Sequence, residues 1–161
     1  MHQARPIVTL RPLTEAEYDD MVVASRAGYA EGIELHGGQT RAAALEKAEA
    51  DFAAILPQGL ATPGHWHFVV EADGRLVGRL WLAERTAGGR QAMFIYDITI
   101  SAEHQGRGFG RRAMELAEDE ARARGLDRIE LHVFGGNDVA RRLYRSLGYV
   151  ETSVQMGKDL G

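Results

Sequence analysis

The chain has 161 residues, 45% of them hydrophobic and 26% charged, with a formal net charge of -4. That length and balance fit a single globular domain over residues 1–161 with room for a real core, and the acidic total argues against a nucleic-acid partner. No cysteine is present, which excludes disulfides, a Cys–zinc site and a cysteine nucleophile; with no apolar leader core at Met1–Pro6 and no long apolar run, no membrane partner is expected and a cytoplasmic location is the default.

Ile7–Leu13 reads as a first strand, with Pro12 marking its end or a sheet edge. Thr14-Glu15-Ala16-Glu17 fits a capping box that opens a helix towards Ala30. Gly28, Gly32, Gly37 and Gly38 interrupt the next stretch, so Ala27–Thr40 is expected to be loop-like. A second helix over Arg41–Leu56 sets Ala44, Leu45, Ala48, Phe52 and Ile55 on one stripe and stops at Pro57. His67–Ala72 and Leu76–Ala83 flank Asp73-Gly74, the preferred pair for a type I′ hairpin turn. Thr86–Arg90 reads as another loop.

The next strand organises the rest. Phe94, Tyr96, Ile98 and Ile100 alternate onto one face; Met93 and Ile95, then Asp97 and Thr99, fall on the other. Apolar residues on both faces predict a central strand covered on both sides. A polar turn leads to the glycine loop Gln105–Gly110 and a helix with Phe109, Ala113, Leu116, Ala117 and Ala121 on one face. Strand Arg128–Phe134 comes after it, parallel to the central strand through its helical crossover. After Gly135-Gly136, Asn137 caps a short helix to Leu147, Gly148 ends it, and Tyr149–Met156 is expected as a last strand. The order predicts an α+β fold: a mixed, mostly antiparallel sheet flanked by helices, with one parallel pair joined by the helix after the glycine loop.

Chemistry gathers in the C-terminal half. Three glycines let the backbone of Gln105–Gly110 approach a ligand closely, and the N–H groups opening the next helix favour an anion. Arg107, Arg111 and Arg112 add positive charge, so a phosphate-bearing ligand is expected at the end of the central strand. Gly108–Ala113 also spells G-x-G-x-x-A, but Ser101–Arg107 separate it from the strand and no acidic residue ends the next one, which disfavours a dinucleotide site. Tyr144 lies seven residues after Asn137, on the same helix face, and spacing alone favours a core tyrosine with a satisfied hydroxyl. Asp97 is a carboxylate in an apolar strand: a general base, a group that orients an amine, or a structural acceptor. Glu130 and His132 are weaker base candidates, His104 is expected to be solvated, and His36, His65 and His67 lack metal-ligand spacing, so no metal is assigned.

Two elements in order carry a resemblance. Gln105, Gly108 and Gly110 match one; Asn137, Ala140, Leu143-Tyr144 and Gly148-Tyr149 match the other. Over about residues 93–158 the chain resembles the GNAT superfamily of acyl-CoA-dependent N-acyltransferases, especially small bacterial-type members with Leu131-His132-Val133-Phe134 before the asparagine. The resemblance implies an N-acetyltransferase that moves the acetyl group of acetyl-CoA, its co-substrate, to a primary amine by direct attack in a ternary complex. It implies that the loop Gln105, Gly106, Arg107, Gly108, Phe109, Gly110 and Arg111 holds the cofactor phosphates, with Gln105 bracing it. It implies that backbone groups of Ile98, Thr99 and Ile100 bind the pantetheine arm and polarise the thioester carbonyl, that Asn137 hydrogen-bonds the arm, and that Tyr144 protonates the leaving thiolate. The family usually splays the fourth and fifth strands, which the residues alone do not show. Ala27–Thr40 and Thr86–Arg90 are left to close the acceptor side, where Glu31 and Glu34 favour a cationic amine, small molecule or peptide. A non-catalytic acyl-CoA binding or sensor module is the alternative, and monomer or homodimer stays open.

Overall fold

Alternating apolar residues along the first four strands bury both faces of one sheet. The computed structural model describes residues 4–161. In chain order these form β1 (Val8–Pro12), α1 (Glu15–His36), α2 (Arg41–Ile55), β2 (His65–Ala72), β3 (Arg75–Ala87), β4 (Arg90–Ile100), α3 (Phe109–Ala123), β5 (Ile129–Leu131) and α4 (Asp138–Ser146), with single 3₁₀ turns at Gly59–Ala61 and Ala102–His104. The strands lie in sequence order; β1 to β4 are antiparallel, and β4 and β5 are parallel. This is the mixed, mostly antiparallel α+β fold that the pattern predicts.

Helix α3 covers one face. Its Phe109, Ala113, Met114, Ala117 and Ala121 pack with Val70, Leu80, Leu82, Met93 and Ile95. Helices α1 and α2 cover the other, where Met21, Phe52 and Leu56 surround Trp81. The Thr14–Glu17 capping box forms as expected, and Asp73-Gly74 makes the β2–β3 turn with both residues at positive φ.

Six expectations change. Helix α1 does not stop near Ala30; it runs through Gly28 and Gly32 to His36. Gly32 is there for contact, not for a break: a Cβ would stand 2.7 Å from the Phe134 ring. Thr86–Arg90 is not an open loop, because β3 and β4 pair out to Ala87 and Arg90 around Gly88-Gly89, both at positive φ. Leu45, expected on the inner stripe of α2, is exposed. The alternation along β4 breaks at Tyr96. Leu82 pairs with Ile95 but Trp81 pairs with Asp97, so Tyr96 is an extra residue, a β-bulge. An inserted residue flips everything after it. Ile98 and Ile100 therefore join Met93 and Ile95 under α3, while Phe94, Tyr96 and Asp97 face α1. Last, β5 keeps only Ile129–Leu131 of Arg128–Phe134, and Tyr149–Met156 forms no strand. Alternation over Val150, Thr152, Val154 and Met156 asks for a sheet neighbour; β5 pairs only with β4, and Val150, Val154 and Met156 stay exposed.

Candidate active site

The site begins where two strands part. β4 and β5 pair at Met93–Ile129, Phe94–Glu130 and Ile95–Leu131, and no further. β4 runs on for five residues, Tyr96–Ile100, with its β5-side edge free of any strand. The bulge sits at the fork, and Gly78 of β3 makes room beyond it: a Cβ there would lie 2.3 Å from the Thr99 carbonyl oxygen. Backbone groups of Ile98 and Ile100 thus border an opening, which is the splay that the sequence alone does not reveal; those of Thr99, expected there too, face β3 because successive peptide groups of a strand point to opposite edges.

The glycine loop closes the far end. Gly106 and Gly108 both take positive φ, 75° and 82°. Gly108 is the N-cap of α3 and offers no side-chain cap. The first hydrogen bond into the helix runs from the Arg112 N–H to the Gly108 carbonyl, which leaves the N–H groups of Phe109, Gly110 and Arg111 without helical acceptors. Such an end suits a phosphate. Gln105 Nε2 donates to the Ile100 carbonyl at 2.9 Å, bracing the loop on the end of β4. Of the arginines, Arg107 is exposed, Arg111 donates to Ser146 Oγ at 2.6 Å, and Arg112 pairs with Glu115 at 3.0 Å.

Helix α4 forms the second wall. Asn137 Oδ1 accepts from the Ala140 N–H at 3.3 Å, so this side chain caps α4 and keeps its amide N–H₂ group available. Leu143 and Ile100 both flank Gly110, 3.7 and 3.8 Å from where a Cβ would lie. The two sequence elements therefore meet at the end of β4. Tyr144, one position on, packs against the α3-side core. Burial pushes its phenol above the ordinary value, and the Asp97 carboxylate pushes it further the same way.

Asp97 faces α1. It accepts from Arg79 Nε at 2.6 Å, from Thr99 Oγ1 at 2.8 Å and from Ser25 Oγ. Ser25 and Arg79 are not picked out by sequence, since a serine in an apolar helix stripe and an arginine in a strand carry no motif. The α1 end locks onto the chain after β5 through a reciprocal fit. The Phe134 ring fills the space above Gly32, and the His36 ring, stacked on Phe134 at 5.8 Å, fills that above Gly136. Glu31 and Glu34 therefore lie on α1; Glu31 is exposed, and Glu34 is 3.5 Å from Arg41. His132, edge-on to Phe134 at 5.0 Å, is exposed, and Glu130 is held by Arg128. His65 accepts from Trp81 Nε1 at 3.0 Å, and His67 lies buried between Tyr18 and Trp81.

Comparison with known proteins agrees with this geometry. A profile described as the acetyltransferase (GNAT) family matches residues 29–149. The uncharacterized N-acetyltransferase YycN of Bacillus subtilis is 30% identical over 154 residues, covering 95% of this chain and 99% of the relative. YdgE of the same organism, also an uncharacterized N-acetyltransferase, is 30% identical over 94% of this chain and 98% of its own. The crystal structure of the Bacillus subtilis acetyltransferase YycN superposes with a TM-score of 0.90, covering 96% of this chain and 99% of that one. A protein of Clostridium acetobutylicum named a predicted acetyltransferase, solved with acetyl-CoA, shares the fold at a TM-score of 0.64 and 14% identity, over 96% and 97% of the two chains. Matched along most of its length by the family profile and by full-length relatives, the chain belongs to the acetyltransferase (GNAT) family.

Proposed function

We propose that the protein transfers an acetyl group from acetyl-CoA to a primary amine, with both bound at once in one domain spanning residues 1–161. The parting of β4 from β5, between the uncapped start of α3 and the helix bearing Tyr144, is the observation that carries this reading. The site suits the co-substrate: free N–H groups at the α3 start meet phosphates, and Gly110 leaves the approach open. When bound, acetyl-CoA supplies an activated thioester carbonyl. Backbone N–H groups of Ile98 and Ile100 stabilise negative charge on its oxygen through fixed dipoles, while the Thr99 backbone is turned to β3. Asn137 holds the pantetheine arm, and Tyr144 holds a proton for the departing sulfur. Asp97, engaged by three donors, serves to orient the acceptor side. An alkylamine with a pKa of about 10.4 sheds its proton to water or through the exposed His132 before attack. Glu31, exposed on α1, draws the cationic amine, and Glu34, neutralised by Arg41, adds less.

A thiol-release screen of amines, peptides, polyamines and amino-sugars with acetyl-CoA tests the reading. Release on adding an amine is expected, with Glu31→Gln raising acceptor KM and leaving acetyl-CoA KM alone. At 100 times its dissociation constant, acetyl-CoA should add about 2.7 kcal/mol of stability. Binding without release would leave a non-catalytic module, and no thermal shift would remove the whole reading.

A further inference from the structure

The α1 side of the fork carries a row of rings with an arginine laid over it. Phe94 and Tyr96 meet edge to face at 4.8 Å, Tyr96 stacks on Trp81 at 4.6 Å, and His65 stacks on Tyr96 at 5.7 Å. The Arg85 guanidinium carbon stands 4.2 Å from the Phe94 centroid and 5.8 Å from that of Tyr96. Arg85 pairs with Ala92 on the neighbouring strand, so its side chain reaches along β4 towards the bulge where the cleft opens. A guanidinium held over a ring loses less freedom on binding than a free one, and its N–H groups, with no hydrogen-bond partner among the described residues, are open to an oxyanion.

Charge balance around it points the same way. Asp97 is matched by Arg79, Asp51 by Lys47, Glu34 by Arg41, and Glu130, across the parallel pair from Phe94, by Arg128, which leaves Glu31 for the amine of the acceptor. Arg85 is exposed and has no carboxylate or hydrogen-bond partner among the described residues. An oriented, uncompensated cation beside the acceptor side of the cleft is a binding group in need of an anion.

Resting on the acetyl-transfer reading, we propose that Arg85 selects the acceptor: it binds a carboxylate or phosphate carried by the same molecule as the reacting amine. Phe94 lies two to three residues back along β4 from Tyr96 and Asp97, so an amine held beside Asp97 would have its nitrogen roughly 7–10 Å from the oxyanion. That span suits an ω-amino acid, a lysine with a free carboxylate, or an aminoalkyl phosphate. An α-amino acid, whose two groups share one carbon, does not bridge it.

Matched acceptors test this. Thiol release is measured with ε-aminocaproate against ε-aminocaproamide, and with an aminoalkyl phosphate against the corresponding amino alcohol, in the wild type, Arg85→Gln and Arg85→Lys. A charge-assisted hydrogen bond makes the expected preference for the anionic member about 10–100-fold in kcat/KM, seen mainly in acceptor KM. Whether the carboxylate or the phosphate pair shows the larger preference identifies the anion. Arg85→Gln should erase the preference and leave the neutral member and acetyl-CoA KM unchanged; Arg85→Lys, which keeps charge without the planar fork, should restore only part of it. Equal use of the two members by the wild type, or a preference that survives Arg85→Gln in a variant with unaltered melting, overturns this assignment while acetyl transfer stands. No release with any amine overturns both.

Discussion

Tyr144 is held in the α3-side core by its ring, while its hydroxyl lies near enough to Asp97 to sense that charge. Burial and the carboxylate both disfavour phenolate, so the proton stays on through the neutral range and the group remains a donor. A thiolate with a conjugate pKa of about 8.5, by analogy with cysteine, leaves moderately well unaided. General-acid assistance is worth about 10²–10⁴-fold where it is needed fully, so Tyr144→Phe should lower kcat by about 10–10³-fold with little change in acetyl-CoA affinity. That split marks an interaction made in the transition state. Steady-state kinetics with a melt of the variant decides it: retained kcat and a lowered Tm would make Tyr144 a packing residue alone.

Among the elements, α3 offers the cleanest separation of binding from folding. A methyl group on Gly110 would meet Leu143 and Ile100 at 3.7 and 3.8 Å, ordinary contact distances. Gly110→Ala should therefore melt like the wild type, yet bind acetyl-CoA more weakly by calorimetry, because the added Cβ fills the space between the loop, Leu143 and Ile100 where the two sequence elements meet. A variant that binds normally would place the phosphates elsewhere. The glycine loop, the caps at Thr14 and Asn137 and the Asp73-Gly74 turn were legible in the sequence because each rests on one local backbone requirement. What misled was non-local. Gly32 resembles a helix breaker until Phe134 arrives from about a hundred residues away, and a bulge leaves no mark on the residue alternation that it inverts. Tyr144 and the loop could be named from their motifs, whereas Arg79, Ser25 and Arg85 gain meaning only from neighbours on other strands and helices.

At the scale of the molecule, the sheet carries an internal pH sensitivity. His67 is 5% exposed, wedged between Tyr18 and Trp81, and neither ring nitrogen has a hydrogen-bond partner among the described residues. Burial, aided by His65, depresses its pKa to about 4 against the ordinary value of 6.5. The unfolded chain then binds the proton that the folded one refuses, so stability is full above about pH 6.5 and falls as the pH drops towards 4. His67→Phe keeps the stacked ring and removes the titrating nitrogens. Its Tm should be no lower than that of the wild type at pH 7 and should fall less steeply between pH 6.5 and 4. Parallel melting curves over that window would show that other groups govern the acid limb.

The reciprocal seating of Phe134 on Gly32 and of His36 on Gly136 also ties together distant stretches of chain. The hairpins β2–β3 and β3–β4 close over short turns, whereas the end of α1 meets the segment after β5 across about a hundred residues. Closing so long a loop adds little to its free-energy cost, since that cost grows with the logarithm of length, but it is slow relative to hairpin formation. The hairpins are therefore expected to form before this contact, which two rings make by each filling the place of a missing methyl group.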